Sequence, residues 1–169
     1  MGAPRHGGRI VQRGPGKLPL TRLSAEGLSV DIPKGWDARI FRRRAELPET
    51  THTVLHVADF ALPTDAADYG DGAVQKMGPS NLLVTLVEFH PDSVSTPLFS
   101  SVGLPVPLRP DDASRTTLQR PMAGQAGIQR FFSLAGRAWS LYVVLGSFDR
   151  RSVLVGAANG VLSTLQVGS

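Results

Sequence analysis

Residues 128–145 read IQRFFSLAGRAWSLYVVL. Two apolar, aromatic runs, Ile128–Leu134 and Ala138–Leu145, flank the small turn residues Ala135-Gly136-Arg137. Runs of this length rich in β-branched and aromatic residues on either side of a short Gly-containing break specify a β-hairpin. A hairpin with so much apolar surface must be covered by other elements, so the rest of the chain has to supply strands beside it and a layer against its face.

The remaining sequence supplies both. Leu82–Phe89 (LLVTLVEF) is nearly continuous and β-branched, the pattern of a buried strand. Thr53–Phe60 (TVLHVADF) is a further strand candidate. Leu28, Val30 and Ile32 alternate with Ser29 and Asp31, as in a half-buried strand. After the turn at Pro33-Lys34-Gly35 the chain resumes extended from Trp36, and Trp36, Ala38 and Ile40 share one face toward the core, with Arg39 opposite. Residues 63–80 carry turn residues throughout, and residues 91–113 carry five prolines, the mark of a connecting excursion with a short helical turn near Thr96–Ser101. At the end, Leu154, Ala157/Ala158, Val161, Leu162 and Leu165 recur at helical spacing, with Asp149 as the expected N-cap. Gly156 and Gly160 lower helix propensity by about 1 kcal/mol each and suit close packing on a sheet. The fold class expected is α/β (α+β): one domain, an antiparallel sheet with a C-terminal helix packed on one face.

Charge narrows the choice of partner. The 169 residues carry a net charge of +4, but Arg5, Arg9, Arg13, Lys17 and Arg22 lie in the first 22 with no acid among them. Without those five, 13 basic residues face 14 acidic ones, so residues 23–169 bear no domain-wide footprint for a phosphate backbone. Residues 1–22 are Gly/Pro/Arg-rich and read as a flexible basic arm, with weak nucleic-acid contact confined to it. Residues 23–169 read as the domain.

There is no cysteine, which removes disulfides, thiolate metal sites and a cysteine nucleophile. Neither the first residues nor the longest apolar run, around AWSLYVVLG, matches a secretory or membrane-spanning segment, so the expected location is cytoplasmic. Arginine in excess of lysine, with many Ala, Gly and Pro, suits a GC-rich bacterial genome.

The front motif Leu28-x-Val30-x-x-Pro33-x-Gly35-Trp36 and the closing Val161, Leu162 and Leu165 resemble the PsbP-like superfamily over about residues 25–167 in outline. The resemblance implies a helix packed on an antiparallel sheet and a non-enzymatic role as an accessory subunit or partner-binding domain. Members often carry an export signal or a lipidated cysteine, and this chain shows neither. No functional residue is carried over from so short a motif.

Residues able to carry chemistry are few. His52 and His56 are four apart, and in a strand that spacing spans about 13 Å, too far to share one ion. Asp65, Asp68 and Asp71 are spaced by three rather than at the alternate positions that a calcium loop needs, and read as turn residues. Gly14-Pro15-Gly16-Lys17 lacks the first glycine and the Ser/Thr of a phosphate loop. Phe131, Phe132, Trp139 and Tyr142 read as core rather than as a base-stacking platform. No cofactor or metal is expected.

The run Arg42-Arg43-Arg44 marks a strand end in water, and it is also the candidate partner-binding patch. The function expected is a non-catalytic partner-binding or accessory domain with a protein partner. The alternative is a small-molecule binder with an apolar pocket under the Pro-rich segment 91–123.

Overall fold

A computed structural model describes residues 9–12, 20–44, 51–65 and 67–169, the side chains of 9–12 and 44 excepted. The hairpin that dominates the sequence forms as β7 (Ala126–Leu134) and β8 (Arg137–Leu145), joined by Ala135-Gly136. Both turn residues have positive φ, 53° and 71°. A two-residue turn of this kind matches the right-handed twist of the strands it joins. Before it in the chain come β1 (Arg9–Gln12), β2 (Thr21–Ala25), β3 (Leu28–Ile32), β4 (Asp37–Arg44), β5 (Thr51–Ala58) and β6 (Leu82–Glu88). After it come α1 (Arg151–Leu162) and β9 (Gln166–Val167).

The strands make two antiparallel sheets. The larger has the order β4-β5-β6-β8-β7, and the smaller β1-β2-β3-β9. Together with α1 they make the mixed α+β fold expected from the sequence.

Register explains the layering. Leu82, Val84 and Leu86 of β6 lie beside Leu55 and Val57 of β5 and Leu141, Val143 and Leu145 of β8, all on one face of the large sheet. That inner face packs on Leu154, Val155, Ala158, Val161 and Leu162 of α1 and on Leu28, Val30 and Ile32 of β3. Trp36 packs against this core but remains partly exposed. The helix starts at Arg151 without a side-chain cap, so Asp149 is not the cap that the sequence suggested. Asp149 lies in solvent instead, 3.5 Å from Arg115.

The expected arm boundary at residue 22 falls inside β2. Arg9–Gln12 pair with Thr21–Ser24, so part of the predicted arm is sheet. Arg22 is tied down by Asp31 at 3.0 Å and by Ser29 and Gln166 at 2.8 Å each. Among the described residues no helix is long and apolar enough to cross a membrane.

Among the described residues the outer face of the large sheet carries no α-helix. It is covered by the loop after β5, with a 3-10 turn at Val74–Lys76, and by parts of the Pro-rich excursion, with 3-10 turns at Pro91–Ser95 and Pro97–Phe99, whereas the turn at Pro110–Asp112 lies on the inner side, where Leu108 is hydrogen-bonded to Asn159 of α1. Ala58, Leu83, Tyr142 and Val144 of the sheet pack there on Leu62, Ala73 and Val74 of the loop, a second and smaller core.

Candidate functional site

Two close approaches shape the outer face. Gly127 of β7 bridges to Ser114, and a Cβ at this glycine would sit 1.7 Å from the carbonyl oxygen of Thr117. Only a residue without a side chain lets the 114–118 segment lie on the sheet there. Gly70, with φ +84°, likewise presses the other loop onto Leu83, where a Cβ would come within 2.3 Å of Cδ2. Between these two pressed-down segments the cover parts and leaves a cavity of about 480 Å³. That volume lies within the usual range for small-molecule sites.

Its floor is Tyr142 and Val144 of β8, and its walls are Tyr69, Val74 and Leu118. Tyr69 and Tyr142 meet edge to face, with ring centroids 5.6 Å apart and planes at 85°. This is the favoured arrangement of two quadrupoles. Burial pushes both phenols up in pKa, so each stays a neutral hydroxyl at ordinary pH. The Tyr142 hydroxyl oxygen accepts the Gln119 amide N–H at 2.8 Å, fastening the excursion over the floor.

Gln125 closes one side. Its Nε2 donates to the Val74 carbonyl at 2.9 Å, which joins the two loops across the cavity wall. A backbone carbonyl can only accept, so the amide orientation is forced and Oε1 is the atom left over. The residue is 5% exposed and Oε1 has no hydrogen-bond partner among the described residues. Such a group is costly to leave unmet.

Two ion pairs stand at the mouth. Arg43 Nη1 lies 2.9 Å from Asp68 Oδ1, an ion pair without hydrogen-bond alignment. Arg120 Nη1 lies 3.5 Å from Asp71 Oδ1, with both side chains 63% exposed.

Asp68 gathers the groups that the sequence kept apart. Its Oδ2 accepts from His52 Nε2 at 2.9 Å, and its backbone carbonyl accepts from His56 Nε2 at 2.8 Å. The two histidines lie on the outer face of β5 because their four-residue spacing is an even number. His56 is fully buried and carries its hydrogen on Nε2, leaving Nδ1 without a partner. Burial, with Arg39 and Arg43 adding to it, holds its pKa below the ordinary value, although the Asp68 carbonyl opposes this. No group of three His, Asp or Glu residues among those described is arranged to hold a metal ion.

The arginine run does not form one patch. Arg43 points to the outer face and the pocket mouth, whereas Arg42 points the other way, where its Nε pairs with Glu26 and its Nη1 donates to Thr51 at 3.0 Å. The side chain of Arg44 lies outside the described residues.

Of the other residues singled out in the sequence, Asp68 and Asp71 are at the pocket and Tyr142 is its floor. Phe132 and Trp139 are buried in the main core. Phe131 joins Phe89 and Phe99 in an aromatic cluster on the outer face, with centroids 5.0–6.2 Å apart. Leu118 and Gln125 were not foreseen. The signal available for them is Gly127, a glycine inside an apolar strand, which marks a place where another backbone comes close.

No protein-family model, curated protein or solved structure matches the chain.

Proposed function

We propose that the chain is a non-catalytic small-molecule-binding protein and that the cavity between Tyr142, Leu118 and Gln125 is its site. The observation that carries this reading is the unmet Gln125 acceptor in the wall of an aromatic pocket. A merely structural cover over the sheet gains nothing from a cavity and an unpaired carbonyl, since both cost stability. A binding site needs both, an apolar volume and a few placed polar groups.

Native mass spectrometry of the full chain purified from its own host tests the reading. A bound small molecule is expected in the wild type and lost or weakened in Leu118→Trp, whose larger ring intrudes on the cavity wall. Equal occupancy in the two proteins would overturn this location.

A second reading keeps the accessory, partner-binding role that the PsbP-like outline implies. It is favoured by Leu98 and Val102, 56% and 84% exposed beside the Phe89–Phe99–Phe131 cluster. Exposed apolar side chains, one in the Pro97–Phe99 turn and one bridged to Ser133 at the edge of β7, suit a protein contact. Under this reading Leu98→Ser with Val102→Ser removes a partner in a pull-down and leaves the pocket untouched.

A further inference from the structure

Resting on the small-molecule reading, the chemistry of the pocket narrows the ligand class. Three properties bear on it. The first is the amide of Gln125, whose Nε2 is spent on Val74, so what it offers a ligand is an acceptor. That acceptor demands an N–H or O–H.

The second is the hydroxyl of Tyr142, whose oxygen already accepts from Gln119. What it has left is its proton, and no acceptor takes that proton among the described residues. A ligand acceptor therefore suits the same pocket. The third is the charge at the mouth, where the cations Arg43 and Arg120 are matched by Asp68 and Asp71. The field there selects for no net charge on what enters.

We infer that the pocket takes an uncharged, planar aromatic molecule carrying an amide edge, a carboxamide or lactam. The N–H of that edge meets Gln125 Oε1 and its carbonyl meets the Tyr142 hydroxyl. The ring lies against Tyr69, Val74 and Val144. A carboxylate of the same size presents two acceptors and no donor, so it leaves Gln125 unmet and brings a charge that the balanced mouth does not neutralise. A tertiary amide keeps the acceptor and loses the donor. Gln125 Oε1 is closed off from water in the unliganded chain, so binding is accompanied by a local rearrangement that bares it.

The experiment is a titration of the full-length, isotope-labelled chain followed by amide chemical shifts, with four probes of one size: benzamide, N,N-dimethylbenzamide, benzoate and ethylbenzene. Benzamide is expected to shift the amides of Val74, Leu118, Gln119 and Gln125 and to bind at least about tenfold more tightly than the other three, since a buried acceptor rejects analogues that leave it unpaired. If ethylbenzene or the dimethyl amide binds within about threefold of benzamide, the pocket binds by shape alone. The amide inference then falls while the small-molecule reading stands. Tightest binding by benzoate overturns it in favour of an anionic ligand held by the mouth arginines. If none of the four moves those amides, both the inference and the reading beneath it fall.

Discussion

Arg137 and Glu88 form a two-pronged ion pair across β8 and β6, with Nε to Oε1 at 2.9 Å and Nη2 to Oε2 at 2.8 Å. The same guanidinium lies 4.4 Å over the ring of Trp139 and donates to the carbonyls of Glu26 and Gly168, at 3.1 and 3.3 Å. One side chain therefore ties the large sheet to the β2–β3 turn and to the end of β9.

Removing Arg137 strands a half-buried carboxylate and unties the small sheet. Arg137→Ala is expected to lower unfolding free energy by about 2–4 kcal/mol in urea denaturation. Burial alone would raise the Glu88 carboxyl, but Arg137 and Thr53 overrule it and hold it below the ordinary value. A depressed carboxyl contributes stability above its unfolded pKa and loses it as pH falls through the folded one. The wild type should therefore lose stability more steeply than Arg137→Ala as pH drops below about 4.5.

His56 sets a second pH dependence of opposite chemistry. Its folded pKa is lowered, so the unfolded chain binds the extra proton first. Stability is full above the unfolded value of about 6.5 and falls as pH drops through it toward the folded value. His56→Gln, which keeps a donor for the Asp68 carbonyl, should flatten that part of the curve. An unchanged slope between pH 7 and 5 would show that His56 is not its source.

Gly127 is where the pocket edge rests on the sheet. Gly127→Ala places a methyl group against Thr117, so the 114–118 segment must lift, at about 1–3 kcal/mol. Lifting that segment should also free the Gln119 amide from Tyr142, which hydrogen exchange at Gln119 reads directly. Wild-type protection at Gln119 would mean that the excursion is held elsewhere.

The arginine run should divide by side. Arg42→Ser and Arg43→Ser each change stability by about 1 kcal/mol or less, because both side chains are about half exposed. Only Arg43→Ser is expected to alter ligand affinity, by a few-fold, through the Asp68 wall it braces. Equal effects of the two on ligand affinity would contradict their opposite faces.

What was legible in the sequence was whatever depends on period and turn chemistry. The hairpin at 126–145, the buried strand at Leu82 and the helical spacing of Leu154, Ala158 and Val161 are local patterns, and each forms. Short pairings were not legible. β9 is only two residues long, and β1 is four residues in a Gly/Pro-rich stretch, so their partners and not their own pattern make them strands. The pocket was hidden for a different reason. Its lining comes from segments near residues 43, 68, 120 and 143, and each residue has an ordinary local account as a turn, a strand end or core. Only the fold brings the unmet carbonyl of Gln125 to the aromatic floor of Tyr142.

The most direct test of that juxtaposition is an amide shift map of the wild type and Leu118→Trp with a mixture of small aromatic fragments. The account predicts shifts confined to Tyr69, Val74, Leu118–Gln125 and Tyr142–Val144 in the wild type, lost or weakened at those positions in the variant. Shifts that persist undiminished in Leu118→Trp, or that gather instead around Leu98 and Val102, would contradict it.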